Sequence, residues 1–295
     1  MGIEVITTKV TDEKATFKEL YDLLPQLDFG RKEHLEQLAI LLHKLSNNTE
    51  ELFRVLADFI LTPPDIKNPF TENTVVLKIF DNCSVRINIW LPESKIANLP
   101  MAKSELHAYD LPHDHNFSFM TVGLWGKGYE TDVFSYGRSE IVGYQGEKVE
   151  VNNHGRKRLK KGDVHFYTEG KDIHIQRVPE EISISLNVLI DIEHKEKITE
   201  QYRFKQIDNN SLEIVRPESA ATMGFLGSVQ PFVNSLKVLA YSKIDEFLLQ
   251  LTDSPNHYVR YDAYNNLLLS ENSNHELLEE KIKRDPSPLI NKIER

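Results

Sequence analysis

The sequence predicts a mainly β protein with helical flanks, built as an antiparallel sandwich or barrel between two helical regions. Apolar residues recur at helical spacing up to about residue 62, alternate with period two through most of the middle of the chain, and return to helical spacing after Pro217. The chain therefore divides into an N-terminal helical segment at 1–72, a β-region at 73–216 and a C-terminal helical region at 217–295.

Two helices are predicted in the N-terminal segment. Leucines recur every three or four residues over 31–46, so one face of that stretch is apolar at helical spacing. A second helix is predicted from about Thr49 to the pair Pro63 and Pro64, because proline cannot continue a helix. Both helices are interpreted as packing elements.

The β-region reads as many short strands separated by turns rich in Gly, Asn and Asp. The predicted strands are 74–80, 85–91, 117–125, 129–136, 148–152, 163–167, 174–178, 182–190, 202–207 and 211–215. Short strands with no helix between them are typical of an antiparallel sandwich or barrel. The turn at 81–82, the turn between 202–207 and 211–215, and the turns at 126–128 and 168–171 each predict a hairpin between the strands that flank them.

The C-terminal region combines helical spacing with a recurring motif. Helices are predicted around 232–240 and 244–251, and another after Asp253-Ser254-Pro255. A partial copy of this motif, Asp285-Pro286-Ser287-Pro288, follows 32 positions after Asp253, and the stretch from Asp253 to Arg260 is similar to the short HEAT-type helical repeat. A plain helical cap on the β-region is the alternative. Either arrangement could carry a homodimer contact or dock a protein partner.

Composition excludes several classes of function. The 35 Lys and Arg against 45 Asp and Glu give a net charge of -10, which argues against a nucleic-acid binder. A basic run at 156–161 is interpreted as a solvated turn. No stretch approaches the roughly 18 consecutive apolar residues of a membrane span. The single cysteine, Cys83, permits no intrachain disulfide, so we expect a cytoplasmic protein.

Two windows of the β-region concentrate histidines. His113 and His115 are two positions apart, and on a strand such residues point to the same face while Asp114 points away. The second window contains His165 and His174. A third imidazole from a neighbouring strand would complete a three-histidine ligand set for a divalent transition metal, with open positions for a substrate.

These windows resemble the two motifs of the cupin superfamily. His113 to His115 matches its His-x-His pair and Gly126 matches the glycine that follows, while Gly162-Asp163, Gly170 and His174 match the second motif. The glutamate of the first motif falls at Ser118 or Phe119, so the carboxylate ligand is missing. In this respect the sequence is similar to the three-histidine cupins, among them the thiol dioxygenases.

The resemblance implies a cupin-type barrel, also called a double-stranded β-helix, with a metal held by His113, His115 and His174. It favours Fe(II), with Zn, Mn or Ni as alternatives. The implied function is a ferrous oxygenase or dioxygenase that uses O₂ on a small polar substrate of the amino acid or thiol class. The alternatives are a non-redox Zn or Mn isomerase or hydrolase, a ligand-binding sensor module, and a cupin that has lost its ion.

Further site residues follow from strand parity. If the turn at 168–171 closes a hairpin, His165 faces His174 and becomes a fourth ligand or a supporting group; a shift of one residue would turn it outward. Gln176 shares the face of His174, and a hairpin around 126–128 would put Tyr136 near the metal. Arg86 would be an anion anchor inside the barrel, although simple alternation favours Arg86 facing water. Tyr136, Gln176 and Arg86 are therefore the candidate catalytic residues.

Overall fold

The structure is a mainly antiparallel β fold with helices on its flanks, as predicted. It is a computed structural model that describes residues 4–5, 11–61, 74–96, 109–190, 200–217, 243–254 and 256–293. None of the helices among these residues is both long and apolar enough to cross a membrane.

The N-terminal helices cover one face of the largest sheet. They are α1 Phe17–Leu23, α2 Lys32–Ser46 and α3 Thr49–Leu61, and a short helix, α4 Glu93–Ile96, follows later in the chain. The apolar stripe of α2, including Leu38 and Leu42, is fully buried and shares one core with Met120 and Val122 of the sheet. The predicted helices are confirmed, while Pro63 and Pro64 lie outside the described residues.

The strands among the described residues form two layers. They are β1 Glu4–Val5, β2 Thr74–Ile79, β3 Cys83–Trp90, β4 Ser118–Trp125, β5 Tyr129–Ser135, β6 Lys148–Glu150, β7 Asn152–Leu159, β8 Val164–Tyr167, β9 Asp172–Gln176, β10 Ser183–Ile190, β11 Tyr202–Gln206 and β12 Ser211–Pro217. One layer is a six-stranded sheet in the order β1-β8-β4-β10-β3-β2.

The second layer consists of two three-stranded sheets, β7-β5-β9 and β11-β12-β6. His113 joins them, because it forms antiparallel bridges with His174 of β9 and with Arg203 of β11. Strands β3, β4, β8 and β10 lie in the first layer. The segment that contains His113 lies in the second layer, as do β5 and β9, and each of these comes between two strands of the first layer along the chain. This alternation is that of a double-stranded β-helix, here an open sandwich within the described residues.

Two predicted hairpins are confirmed and two are wrong. Strands β2 and β3 pair, as do β11 and β12. Strands β4 and β5 lie in different sheets, and so do β8 and β9, because their connections carry the chain across the sandwich. Gly126 and Gly170 in these connections adopt positive φ angles of 82° and 57°, which favour glycine. His165 therefore pairs with Thr121 and not with His174.

The basic run is part of a strand, and its interpretation as a turn is wrong. It lies mostly in β7, which pairs with β5. Arg156 forms an ion pair with Asp132, and Arg158 forms one with Glu130 at 3.0 Å. These pairs across the strands neutralise part of the basic charge.

The C-terminal helices form a small core of their own. They are α5 Ile244–Leu251, α6 His257–Leu268 and α7 His275–Arg284. Tyr258 of α6 packs into the outer core of the second layer. After Asp285-Pro286-Ser287-Pro288 the described residues form one 3₁₀ turn, Ile290–Lys292, and no helix, so the HEAT-type interpretation is not supported. The helix predicted around 232–240 lies outside the described residues.

Candidate metal centre

Three histidines converge between the two layers. His113, His115 and His174 each offer one ring nitrogen, and these nitrogens all lie within 4.8 Å of one another. The Nε2 atoms of His113 and His174 are 3.1 Å apart. Two nitrogens bound to one ion at about 2.1 Å, at right angles or tetrahedrally, would be about 3.0–3.4 Å apart. The observed spacing therefore fits a shared metal ion.

Hydrogen bonds on the far side of two rings aim their Nε2 atoms at the centre. His113 Nδ1 lies 2.9 Å from the carbonyl oxygen of Leu111, which can only accept, so Nδ1 carries the proton. His115 Nδ1 lies 3.4 Å from Oε1 of Gln201. A proton on Nδ1 leaves the Nε2 lone pair free, and this is how proteins orient histidine ligands.

Burial keeps the imidazoles of His115 and His174 neutral. Loss of hydration lowers the pKa of His115 and of His174 well below the usual value, and the neighbouring His113 and Arg86 lower both further. Neutral imidazole is the form that binds a metal, so a divalent cation does not compete with a proton near pH 7.

Aromatic rings surround the histidines. Phe117 stacks on His115 with ring centroids 4.5 Å apart. Phe119 and Tyr167 stack on each other, also at 4.5 Å, and both contact His174 at their edges. This wall keeps water away from one side of the centre.

Asp114 fixes the histidine segment from behind. It is fully buried, accepts a hydrogen bond from the Tyr136 hydroxyl at 2.6 Å, and accepts another from the backbone N–H of Tyr202. Arg138 lies 3.7 Å from the same carboxylate. Burial is the largest influence on Asp114 and raises its pKa to about 6. These three contacts hold the backbone between His113 and His115 in place.

The position predicted for Tyr136, near the metal, is not what the structure shows. Its ring belongs to the outer core of the second layer together with Phe134 and Ile173, whereas His174 faces inward. The prediction assumed a β4–β5 hairpin, and these strands lie in different sheets. Tyr136 contacts the histidine segment through Asp114, and its catalytic role stays a prediction.

A row of four polar side chains crosses the inner face of the first layer. His165 pairs with Thr121, Thr121 with Asn187, and Asn187 with Arg86 on four adjacent strands. Directly opposed residues share a face of the sheet, so all four point into the sandwich. His165 is 3% exposed, and burial lowers its pKa to about 4. His165 is not one of the three converging histidines, and its role as a ligand stays a prediction.

Arg86 lies inside the sandwich, so the expectation that it faces water is wrong. Val85 and Ile87, its neighbours in β3, belong to the core beneath the N-terminal helices. Arg86 faces the other way, and burial lowers its pKa to about 10. Alternation misled the prediction because this strand is buried on both faces.

Gln176 lies two residues beyond His174 on the same inner face, as strand parity predicts. It is 9% exposed and pairs across the strands with Thr131. The catalytic role of Gln176 stays a prediction, as does that of Arg86.

Sequence reasoning missed Thr121, Asn187 and Arg138. Asn187 carried a usable signal, because it is a lone amide in the otherwise apolar second half of β10. Arg138 and its contact with Asp114 depend on how loops meet behind the second layer, which no local pattern records.

Comparisons with known proteins add little to this site. No model of a known protein family matches the chain, and no curated protein matches it. Solved structures with partial similarity include the DMSP lyase DddQ from Ruegeria pomeroyi, at 14% identity and a TM-score of 0.25 over 45% of this chain and 55% of the lyase. The chain thus spans about half the length of that lyase.

Two further solved structures show similarity at the same level. A hydroquinone 1,2-dioxygenase from a Sphingomonas species, with 4-hydroxybenzoate bound, has 11% identity and a TM-score of 0.28 over 42% of this chain and 68% of the dioxygenase. Procruciferin, an 11S globulin from Brassica napus, has 12% identity and a TM-score of 0.24 over 43% of this chain and 27% of the globulin. Similarities this weak carry no argument about function.

Proposed function

We propose that the protein is a metal-dependent cupin enzyme whose ion is held by His113, His115 and His174. The observation that carries the proposal is the convergence of three imidazoles, with two Nε2 atoms 3.1 Å apart. A site with three protein ligands keeps coordination positions open, which is the arrangement of catalytic rather than structural metal sites.

The proposed reaction is oxidation of a small polar substrate with O₂ at ferrous iron. Bound there, Fe(II) would supply the redox chemistry, and an all-nitrogen, uncharged ligand set suits it. The ligand set equally accepts zinc or manganese, so a non-redox isomerase or hydrolase is the competing function that the experiment must separate.

The remaining residues would bind and orient the substrate. Arg86 offers a planar fork for an anionic group from the first layer, and Gln176 offers an amide from the second. The ring wall of Phe119 and Tyr167 would exclude water from the reacting atoms.

Reconstitution with single metals tests the proposal. Protein freed of metal is loaded anaerobically with Fe(II), Zn(II) or Mn(II), and O₂ uptake is followed with panels of small carboxylates, amino acids and thiols. Substrate-dependent O₂ consumption with iron alone is the expected result. Turnover of a substrate by the zinc or manganese protein without O₂ would contradict the oxygenase. Binding without turnover under every metal would identify a sensor.

A further inference from the structure

Three amide oxygens inside the sandwich lack hydrogen-bond donors. They are Oδ1 of Asn88, Oδ1 of Asn187 and Oε1 of Gln176; each is fully buried, and no described residue donates to them. Asn187 is 3% exposed and Gln176 is 9% exposed, so bulk water does not reach these side chains freely. Buried acceptors are almost always paired, so a group of unpaired ones points to a ligand that brings its own donors.

The three amides face the same space as the histidines. Asn187 pairs with Arg86 in the central row of the first layer, and Asn88 pairs with Ser185 in the next row. Gln176 lies on the facing layer, beside His174. Arg86 points into the same interior, since it lies directly opposite Asn187. The three histidines, Arg86 and the amide oxygens therefore line one interior, which a single ligand would share.

The charge of the first layer determines which kind of hydrogen-bond donor a ligand can bring into the chamber. Arg86 is the one charged residue in β3, β4, β8 and β10, which together contain no Asp or Glu. With a divalent ion nearby, an ammonium group would add a third cationic group, whereas hydroxyl groups donate without charge. A single guanidinium next to the ion suits a monoanion such as a carboxylate, which its fork binds in two places.

Asp172 does not reverse this balance. It is buried and lies two residues from His174, toward the opposite end of β9 from Gln176. Its Oδ2 accepts a hydrogen bond from the backbone N–H of Thr168 at 2.7 Å. Its Oδ2 therefore serves the turn before β9, and its Oδ1 is a further buried oxygen to which no described residue donates, at the opposite end of the strand from Gln176.

We propose that this chamber binds a small polyhydroxylated carboxylate, with Arg86 on the carboxylate and the amide oxygens of Asn88, Asn187 and Gln176 accepting from hydroxyl groups. The inference rests on the proposed function, since the two share one site. It narrows the substrate class to hydroxy acids and away from amino acids.

Matched small molecules test the ligand class by calorimetry. The probes are glycerate, propionate, glycerol and serine, which differ in the carboxylate, the hydroxyls or an ammonium in place of one hydroxyl; gluconate, hexanoate and sorbitol repeat the set at six carbons. In one of the two series the hydroxy acid should bind about tenfold or more tighter than each of its analogues, as one or two added hydrogen bonds would give. Serine or a plain carboxylate binding as well as the hydroxy acid would overturn the proposal, as would no binding in either series.

Isosteric variants separate recognition from structure. Gln176→Met and Asn187→Leu remove an unpaired acceptor, so the unliganded fold should melt at the same or a higher temperature. Affinity for the better hydroxy acid should fall about three- to tenfold. Gln206→Met, at an exposed position in β11, is the matched control and should change neither quantity. A lower melting temperature with unchanged affinity would show that the amides are structural and would overturn the proposal.

Metal-free protein distinguishes this inference from the proposed function. Calorimetry is repeated after chelation, and metal content is measured on the same samples. Hydroxy-acid binding by a protein that takes up no metal would refute the enzyme and leave the chamber assignment standing. Full metal uptake without hydroxy-acid binding would refute the chamber assignment alone.

Discussion

The Nε2 atoms of His113 and His174 lie 3.1 Å apart, although 61 positions separate the residues in the chain. The two backbones are bridged, since each residue donates its N–H to the carbonyl oxygen of the other. The ring spacing is therefore set by a sheet contact. Strand pairing inside the second layer thus positions the candidate metal ligands, which is the preorganisation that the proposed site needs.

Removing any of the three converging histidines should empty the site. His113→Ala, His115→Ala and His174→Ala each delete one of three ligands, so we expect metal content to fall to near background by elemental analysis. Circular dichroism should show the fold retained, because the apolar core beneath the helices is unchanged. Glu130→Gln is the control, since Glu130 pairs with Arg158 and should leave metal content unaffected. A full metal complement in His174→Ala would show that the ligand set is wrong.

His165→Ala should keep the metal. His165 pairs with Thr121 and stands apart from the three-histidine group, so metal affinity should stay within about tenfold of wild type. Titration of metal into metal-free wild type, His165→Ala and His174→Ala compares the three directly. Equal losses in the two variants would make His165 a fourth ligand.

His165 should also make the fold sensitive to acid. Its pKa is about 4 in the folded protein and about 6.5 when unfolded, so between these values the unfolded chain binds more protons. Stability is therefore unaffected by His165 above pH 6.5 and falls as the pH drops from 6.5 toward 4, by up to about 3 kcal/mol at roughly 1.4 kcal/mol per unit.

Urea unfolding of the metal-free protein measures this effect. The loss of unfolding free energy between pH 7.5 and pH 4.5 should be smaller in His165→Gln than in wild type. The variant should keep part of the loss, because His115 and His174 also have lowered pKa values. An identical loss in both proteins would mean that His165 is not buried in solution.

Tyr136→Phe should cost stability more than chemistry. The variant removes the hydrogen bond that the Tyr136 hydroxyl donates to Asp114. Because a buried carboxylate oxygen loses this donor, the free energy of unfolding should fall by about 1–3 kcal/mol. Metal content at saturating metal should stay near wild type, because the ring lies on the outer face of the second layer. An unchanged stability with lost turnover would restore Tyr136 as a catalytic residue.

The class of fold and the three histidines could be predicted, because they depend on local periodicity and on short motifs. The strand partners could not be predicted fully. A period of two shows that a strand has two faces, yet it does not say which sheet receives the strand after a glycine turn. The predicted pairing of His165 with His174 failed for this reason, whereas the β2–β3 hairpin was confirmed.

The polar interior was harder to predict than the metal centre. Arg86 alternates with apolar residues, which is the pattern of a strand with one face in water. The N-terminal helices cover the apolar face of this strand, so its other face, which carries Arg86, lies inside the sandwich. Asn187 belongs to this polar row because Arg86 and Thr121 lie directly opposite it on the adjacent strands. Such a row across a sheet is a property of register, which a single sequence does not display.

Metal analysis of the native protein tests the central claim most directly. Protein purified anaerobically without added metal is examined for transition metals, alongside His174→Ala prepared in the same way. The account predicts about one equivalent of a transition metal, with iron prevailing, in wild type and almost none in the variant. A wild-type protein that holds no transition metal, and takes up none when Fe(II), Zn(II) or Mn(II) is supplied, would contradict the account.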